Sequence, residues 1–125
     1  MIQVEPTENL ARYIYSKSYY RPSDNTVRHA AFMPPKNRRL SVFRIFGLRE
    51  NEIWELGDNL RTDQPLLGRA DIKAGSVNET GLAVEADDIP HRHANIVGWP
   101  DDDSAIRLKA LELAEKAHLH LKIQG

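Results

Sequence analysis

Cysteine is absent from this 125-residue chain. That excludes disulfides, thiolate metal sites and a cysteine nucleophile. No apolar run approaches the roughly 18 residues needed to span a bilayer, so neither a transmembrane helix nor a membrane partner is expected. The start, Met1-Ile2-Gln3-Val4-Glu5-Pro6, has neither the basic opening nor the apolar core of a signal peptide. A cytoplasmic protein is the resulting expectation. Named chemical motifs are missing too. There is no Gly-x-Ser-x-Gly, no glycine-rich phosphate loop and no His-Glu-x-x-His. The aromatic box of RNA-recognition motifs, the Gly-x-x-Gly clamp and paired zinc ligands are equally absent.

The chain does contain enough apolar residues for one core: 41% are hydrophobic and 28% charged. Residues 1–125 therefore read as a single globular domain. A net charge of −1 conceals a division. Residues 17–49 hold eight Lys/Arg against one acid, a net of +7, whereas residues 50–103 hold thirteen acids against four bases, a net of −9. Such blocks either face different partners or neutralise each other once folded.

The pattern of elements predicts an α+β fold, a mainly antiparallel sheet with a long C-terminal helix packed on one face. Pro6-Thr7 can open a helix through Ile14, although Tyr13 to Tyr20 also suits a strand. Val27–Met33 and Leu40–Phe46 read as strands, the first stopped by Pro34-Pro35. Glu50–Leu56 reads as a helix capped by Gly57. Leu67–Lys73 and Gly81–Ala86 read as a hairpin turning at Asn78-Glu79-Thr80-Gly81, and His91–Val97 as a further strand. Asp101-Asp102-Asp103-Ser104 offers caps for a helix to about Leu121. Ile106, Ala110, Leu113, Ala114, Ala117 and Leu121 share its apolar stripe, and Leu108 and Leu119 lie off it.

Between Tyr13 and Arg49 stand seven of the nine aromatic residues. Phe32, Phe43 and Phe46 suit the core. Tyr19 and Tyr20 sit beside a turn, and Lys36, Arg38 and Arg39 fall in a basic loop ahead of Arg44. Rings and guanidinium groups of this kind hold phosphates and stack on bases. The leading expectation is a domain that binds RNA, or another polyanion, through Lys36, Arg38, Arg39, Arg44, Tyr19 and Tyr20.

A second reading is a small hydrolase or nuclease built on His91 and His93, with His29. In one extended strand the first two would point to the same side, about 6–7 Å apart. That spacing suits two imidazoles on one phosphate or one metal, with Asp87, Asp88, Asp71 or His29 as a further ligand. No cofactor is required by the sequence. His118 and His120, placed on the C-terminal helix, would diverge by about 200° and could not share an ion. A third reading is an interaction module, a homodimer meeting through charge blocks or through Leu108 and Leu119.

Overall fold

The computed structural model describes residues 2–123. Its centre is a strand where the sequence offered a helix. β1 (Asn9–Ile14) pairs along its full length with β5 (Gly68–Lys73) and, at Leu10 and Ala11, with β4 (Leu40–Arg44). Leu10, Ala11, Tyr13 and Ile14 are all buried. A helix would bury one stripe of this segment, whereas a central strand buries both sides of its pleat.

β6 (Ala83–Ala86), β7 (His93–Val97) and β8 (His118–Leu121) complete a six-stranded sheet in the order β6-β7-β4-β1-β5-β8. Every neighbouring pair in it is antiparallel. A short ribbon, β2 (Tyr20–Arg21) with β3 (Thr26–Val27), lies beside it. The strand expected over Val27–Met33 reaches only Val27. His29–Phe32 then forms a 3-10 turn that drives Ala31 and Phe32 into the core.

One sheet face carries Leu10, Ile14, Leu40, Val42, Ile72, Ala94, Ile96 and Leu119. The 3-10 turn, α2 (Ala74–Glu79) and α3 (Asp103–Lys116) cover it. The expected α+β class and the helix across one face are therefore present. In α3, Ile106, Ala110, Leu113 and Ala114 are buried as the stripe required, and the Asp102 carboxylate accepts from Ala105 N at 3.0 Å. The helix stops at Lys116, however. His118–Leu121 pairs instead with the open edge of β5, which buries Leu119; Leu108, on α3 itself, is 60% exposed. Gly68 permits that approach, since a Cβ there would meet the His120 carbonyl oxygen at 2.7 Å.

The expected hairpin between residues 67–73 and 81–86 is also replaced. α2 buries Ala74 and Val77, and the chain crosses the sheet to place β6 at the opposite edge from β8. Among the described residues, no helix is long and apolar enough to cross a membrane.

The other face is covered only in part. α1 (Glu50–Leu60) lays Ile53 against Tyr13, Phe43, Ile45 and Leu66. Ser41, Ala83 and Glu85, farther along this face, stay exposed. Gly57, expected to cap α1, lies inside it, because the Tyr13 ring occupies the space of a side chain there. A Cβ on Gly57 would sit 2.5 Å from Tyr13 Cε1 and 2.8 Å from Leu66 Cδ2. Gly57→Ala, which adds helix propensity, is therefore expected to destabilise the protein by about 1–3 kcal/mol through overpacking. Urea denaturation checks this, and a gain in stability would contradict the packing.

Candidate functional site

The register of β4 against β7 sets Ser41 opposite Asn95 and Phe43 opposite His93. Alternation puts all four side chains on the partly covered face. Ser41 and His93 are diagonal neighbours, roughly 7–8 Å apart in backbone and within reach of a long side chain.

The connection from β6 to β7 adds a carboxylate. Residues 87–92 fold back tightly, with Asp88 and Arg92 at φ of 55° and 71°. Asp87 N and Asp88 N donate to the His93 carbonyl at 3.2 and 3.0 Å, and Arg92 N donates to Asp88 Oδ1 at 2.6 Å. Arg92 Nη1 clamps this loop to β4 by donating to the Arg44 and Phe46 carbonyls at 3.0 and 2.9 Å. The fold-back brings Asp87 to its partner.

Asp87 Oδ1 lies 2.7 Å from His93 Nδ1, and His93 Nε2 lies 3.0 Å from Ser41 Oγ. Asn95 Nδ2 and Ile89 N donate to Asp87 at 3.2 Å each. The bond from His93 holds the Asp87 carboxyl below the usual carboxylate range; slight burial opposes it, and the Ile89 N–H adds to it. An ionised Asp87 accepts the Nδ1 proton, which leaves Nε2 free to accept from the Ser41 hydroxyl. Phe43 meets the imidazole edge-on, with 5.3 Å between ring centres. The His93 side chain is only 12% exposed, while Ser41 is open to solvent. Ser41 also borders a cavity of about 330 Å³, shared with Arg12, Tyr15, Tyr19, Phe43 and Arg61.

The structure separates the other expected histidines. His91 lies in the turn before β7, 78% exposed at its side chain and 3.5 Å from Asp88, so it does not share a strand face with His93. His29 lies on the 3-10 turn that packs on the opposite sheet face. Among the described residues, no group of three or more His, Asp or Glu side chains is arranged to hold a metal ion.

His118 and His120 belong to β8 and not to a helix, so they do point the same way. With His29 they border a larger cavity of about 970 Å³. His120 stands 3.5 Å from Asp71, but that carboxylate is already bound by Arg69 at 3.1 Å. No histidine there bonds a hydroxyl among the described residues, so the cavity offers space without an activated nucleophile.

Most cations of the basic segment are engaged within the fold. Arg44 Nε and Nη2 each donate to the Glu8 carboxylate at 2.8 Å, with side chains 12% and 8% exposed. Arg38 donates to the carbonyls of Pro100 and Asp101 and stands 3.5 Å from the Asp101 carboxylate. Arg39 lies 3.5 Å from Glu85. Lys36 is exposed, and Tyr19 and Tyr20 are half-buried against the core. Arg44 ends the strand that Arg38 and Arg39 precede, so these cations do not converge. Phe46, expected in the core, is 46% exposed between the Arg44 and Arg92 guanidinium groups, 5.1 and 5.0 Å from its ring centre.

Protein-family models, curated proteins and solved structures were compared with the chain, and none matches it. Ser41 carried no signal in the sequence, and Asp87 entered only as a candidate metal ligand. Strand spacing set His93 with His91, but pairing with a residue 52 positions away is not written locally.

The Arg44–Glu8 pair yields a pH test. Hydrogen bonds from Arg44 hold the Glu8 carboxyl below its ordinary value of 4.5, against the opposing effect of burial. A depressed folded-state value contributes stability above the unfolded value, and that contribution is lost as pH falls through the folded one. Glu8→Gln is expected to cost about 3 kcal/mol at pH 7 by leaving Arg44 unpaired. The gap from the parent should narrow below about pH 4.5. Urea denaturation across this range measures both.

Proposed function

We propose that this protein is a small hydrolase working by acyl transfer, with Ser41 as nucleophile, His93 as general base and Asp87 as the group orienting the imidazole. The observation that carries the reading is the unbroken hydrogen-bonded chain from Ser41 Oγ through both nitrogens of His93 to Asp87. Nucleophile, base and orienter must meet at about 2.6–3.2 Å for such chemistry, and these three do.

In the proposed reaction Ser41 Oγ attacks an ester carbonyl carbon while His93 Nε2 takes its proton. The resulting imidazolium is stabilised by ionised Asp87, itself held by Asn95 and Ile89 N. Collapse of the tetrahedral intermediate breaks the ester C–O bond, and His93 returns the proton to the leaving alcohol. Water, deprotonated by His93, then attacks the acyl carbon; the Oγ–acyl bond breaks, His93 returns the proton to Ser41 Oγ, and the carboxylic acid leaves. Arg61 and Gln64, which border the Ser41 cavity, would serve as donors to the developing oxyanion.

The RNA or polyanion reading would now rest mainly on Lys36, Tyr19 and Tyr20, and a homodimer on exposed Leu108. No specific contact favours either, so the acyl-transfer reading stands first.

Turnover of activated aryl esters and labelling by a fluorophosphonate test it. Ser41→Ala and His93→Ala are each expected to lower kcat/KM at least about 10³-fold, and Asp87→Asn at least about 10²-fold, with the unfolding midpoint of Ser41→Ala, at an exposed position, little changed. Fluorophosphonate adduct mass should localise to Ser41. Hydrolysis that survives Ser41→Ala, or the absence of both turnover and labelling in the parent, would overturn the assignment.

A further inference from the structure

Like Arg92, which donates to the carbonyls of Arg44 and Phe46, Arg12 is held by backbone carbonyls, and unlike Arg92 it borders the cavity beside Ser41. It lies on β1, the central strand, and its guanidinium reaches sideways towards β4. Nε donates to the Ala31 carbonyl at 2.7 Å and Nη1 to the Ser41 carbonyl at 3.1 Å. Arg38, Arg39, Arg44, Arg49, Arg61 and Arg69 each have a carboxylate within 4 Å. Arg12 has none among the described residues. Two neutral carbonyls leave its charge uncompensated, and loss of hydration disfavours the guanidinium, pushing its pKa below the usual range. A sequestered cation without a counter-ion is costly to keep and gains most from an entering anion.

The cavity it borders has walls that suit a flat ligand. Tyr13, Tyr15, Tyr19 and Phe43 present rings, and Leu60 adds an apolar patch. The hydroxyls of Tyr13 and Tyr15 are taken by the carbonyls of Ile53 and Gly57, each at 2.6 Å. Those two residues therefore offer ring surface rather than donors. Arg61 stacks on Tyr15 at 5.4 Å, but Asp63 neutralises it at 2.9 Å. The uncompensated charge in the cavity is that of Arg12. A volume of about 330 Å³ is at the small end for ligand pockets, enough for one substituted ring.

We propose that the cavity beside Ser41 selects small aromatic esters bearing a carboxylate, with the carboxylate on Arg12, the ring among Tyr15, Tyr19 and Phe43, and the ester carbonyl at Ser41 Oγ. Arg12 is here a substrate-binding residue, and its backbone neighbours tie recognition to the nucleophile because the same guanidinium grips the Ser41 carbonyl. The inference rests on the acyl-transfer reading for its chemistry, while anion recognition by the cavity can be measured without turnover.

The test uses Ser41→Ala in the full chain, titrated with 4-nitrobenzoate and with neutral 4-nitrobenzamide. Calorimetry is expected to show roughly tenfold or tighter binding of the carboxylate. The 15N resonance of Arg12 Nε should shift on addition of 4-nitrobenzoate and stay in place with the amide. Arg12→Gln should bring the two affinities together, and Arg12→Lys should retain part of the preference. Equal affinities, no binding of the carboxylate, or an unmoved Arg12 resonance would overturn the inference. The resonance decides the matter even if the Arg12 variants fail to fold. Anion preference with no Ser41 labelling would sink the acyl-transfer reading alone; labelling without anion preference would sink this inference alone.

Discussion

The registration of β4 against β7 is the constraint on which the site depends. It sets Ser41 opposite Asn95 and Phe43 opposite His93. A slip of one residue would send Ser41 to the other face of the sheet, since side chains alternate with a period of two. The register is held by burial. Leu40 and Val42 fill the core on the opposite face, so a slip of β4 would also turn two buried apolar side chains out of it. Stability on one side of the sheet thus positions polar groups on the other.

That other side is available because its cover is incomplete. α1 seals Tyr13, Phe43 and Ile45 but leaves Ser41 and Glu85 in solvent. His93 lies at this boundary, its ring against Phe43 and its nitrogens bonded to Ser41 and Asp87. An imidazole held by packing on one flank and by two hydrogen bonds loses little further freedom in a reaction, which is the physical content of preorganisation.

The division of charge along the chain is partly offset in three dimensions. Arg38 meets Asp101, Arg39 meets Glu85, and Arg44 is buried against Glu8. Arg69 sits over the Trp54 ring at 4.6 Å, between Glu50 and Asp71, with only 3% of its side chain exposed. These pairs satisfy cations that would otherwise be costly to enclose. Arg12, like Arg92, has backbone carbonyls as its acceptors instead.

Local signals were sufficient where one element carries its own evidence. The capped, striped helix now seen as α3, the strand of β4 and the anchoring of Trp99, which donates to the Ile96 carbonyl at 2.9 Å, all follow from adjacent residues. Boundaries failed where a partner decided them. Residues 118–121 continue an acceptable helical stripe, yet the open edge of β5 offers a full ladder of backbone bonds, and that ladder wins. Residues 9–14 could satisfy one helical face, yet a central position buries both faces of a strand. Gly57 resembled a cap until the Tyr13 ring required its missing side chain.

The sequence by itself determined the class of the fold, the absence of any thiol chemistry and the presence of five histidines. Tertiary structure decided which histidine has partners. His91 and His93 are two residues apart, but Arg92 at a positive φ ends the turn between them, so only His93 enters the sheet. Its hydroxyl partner comes from a strand 52 positions away and its carboxylate from a folded-back loop. Proximity of that kind is created by strand register, a property of two segments together that neither segment encodes alone.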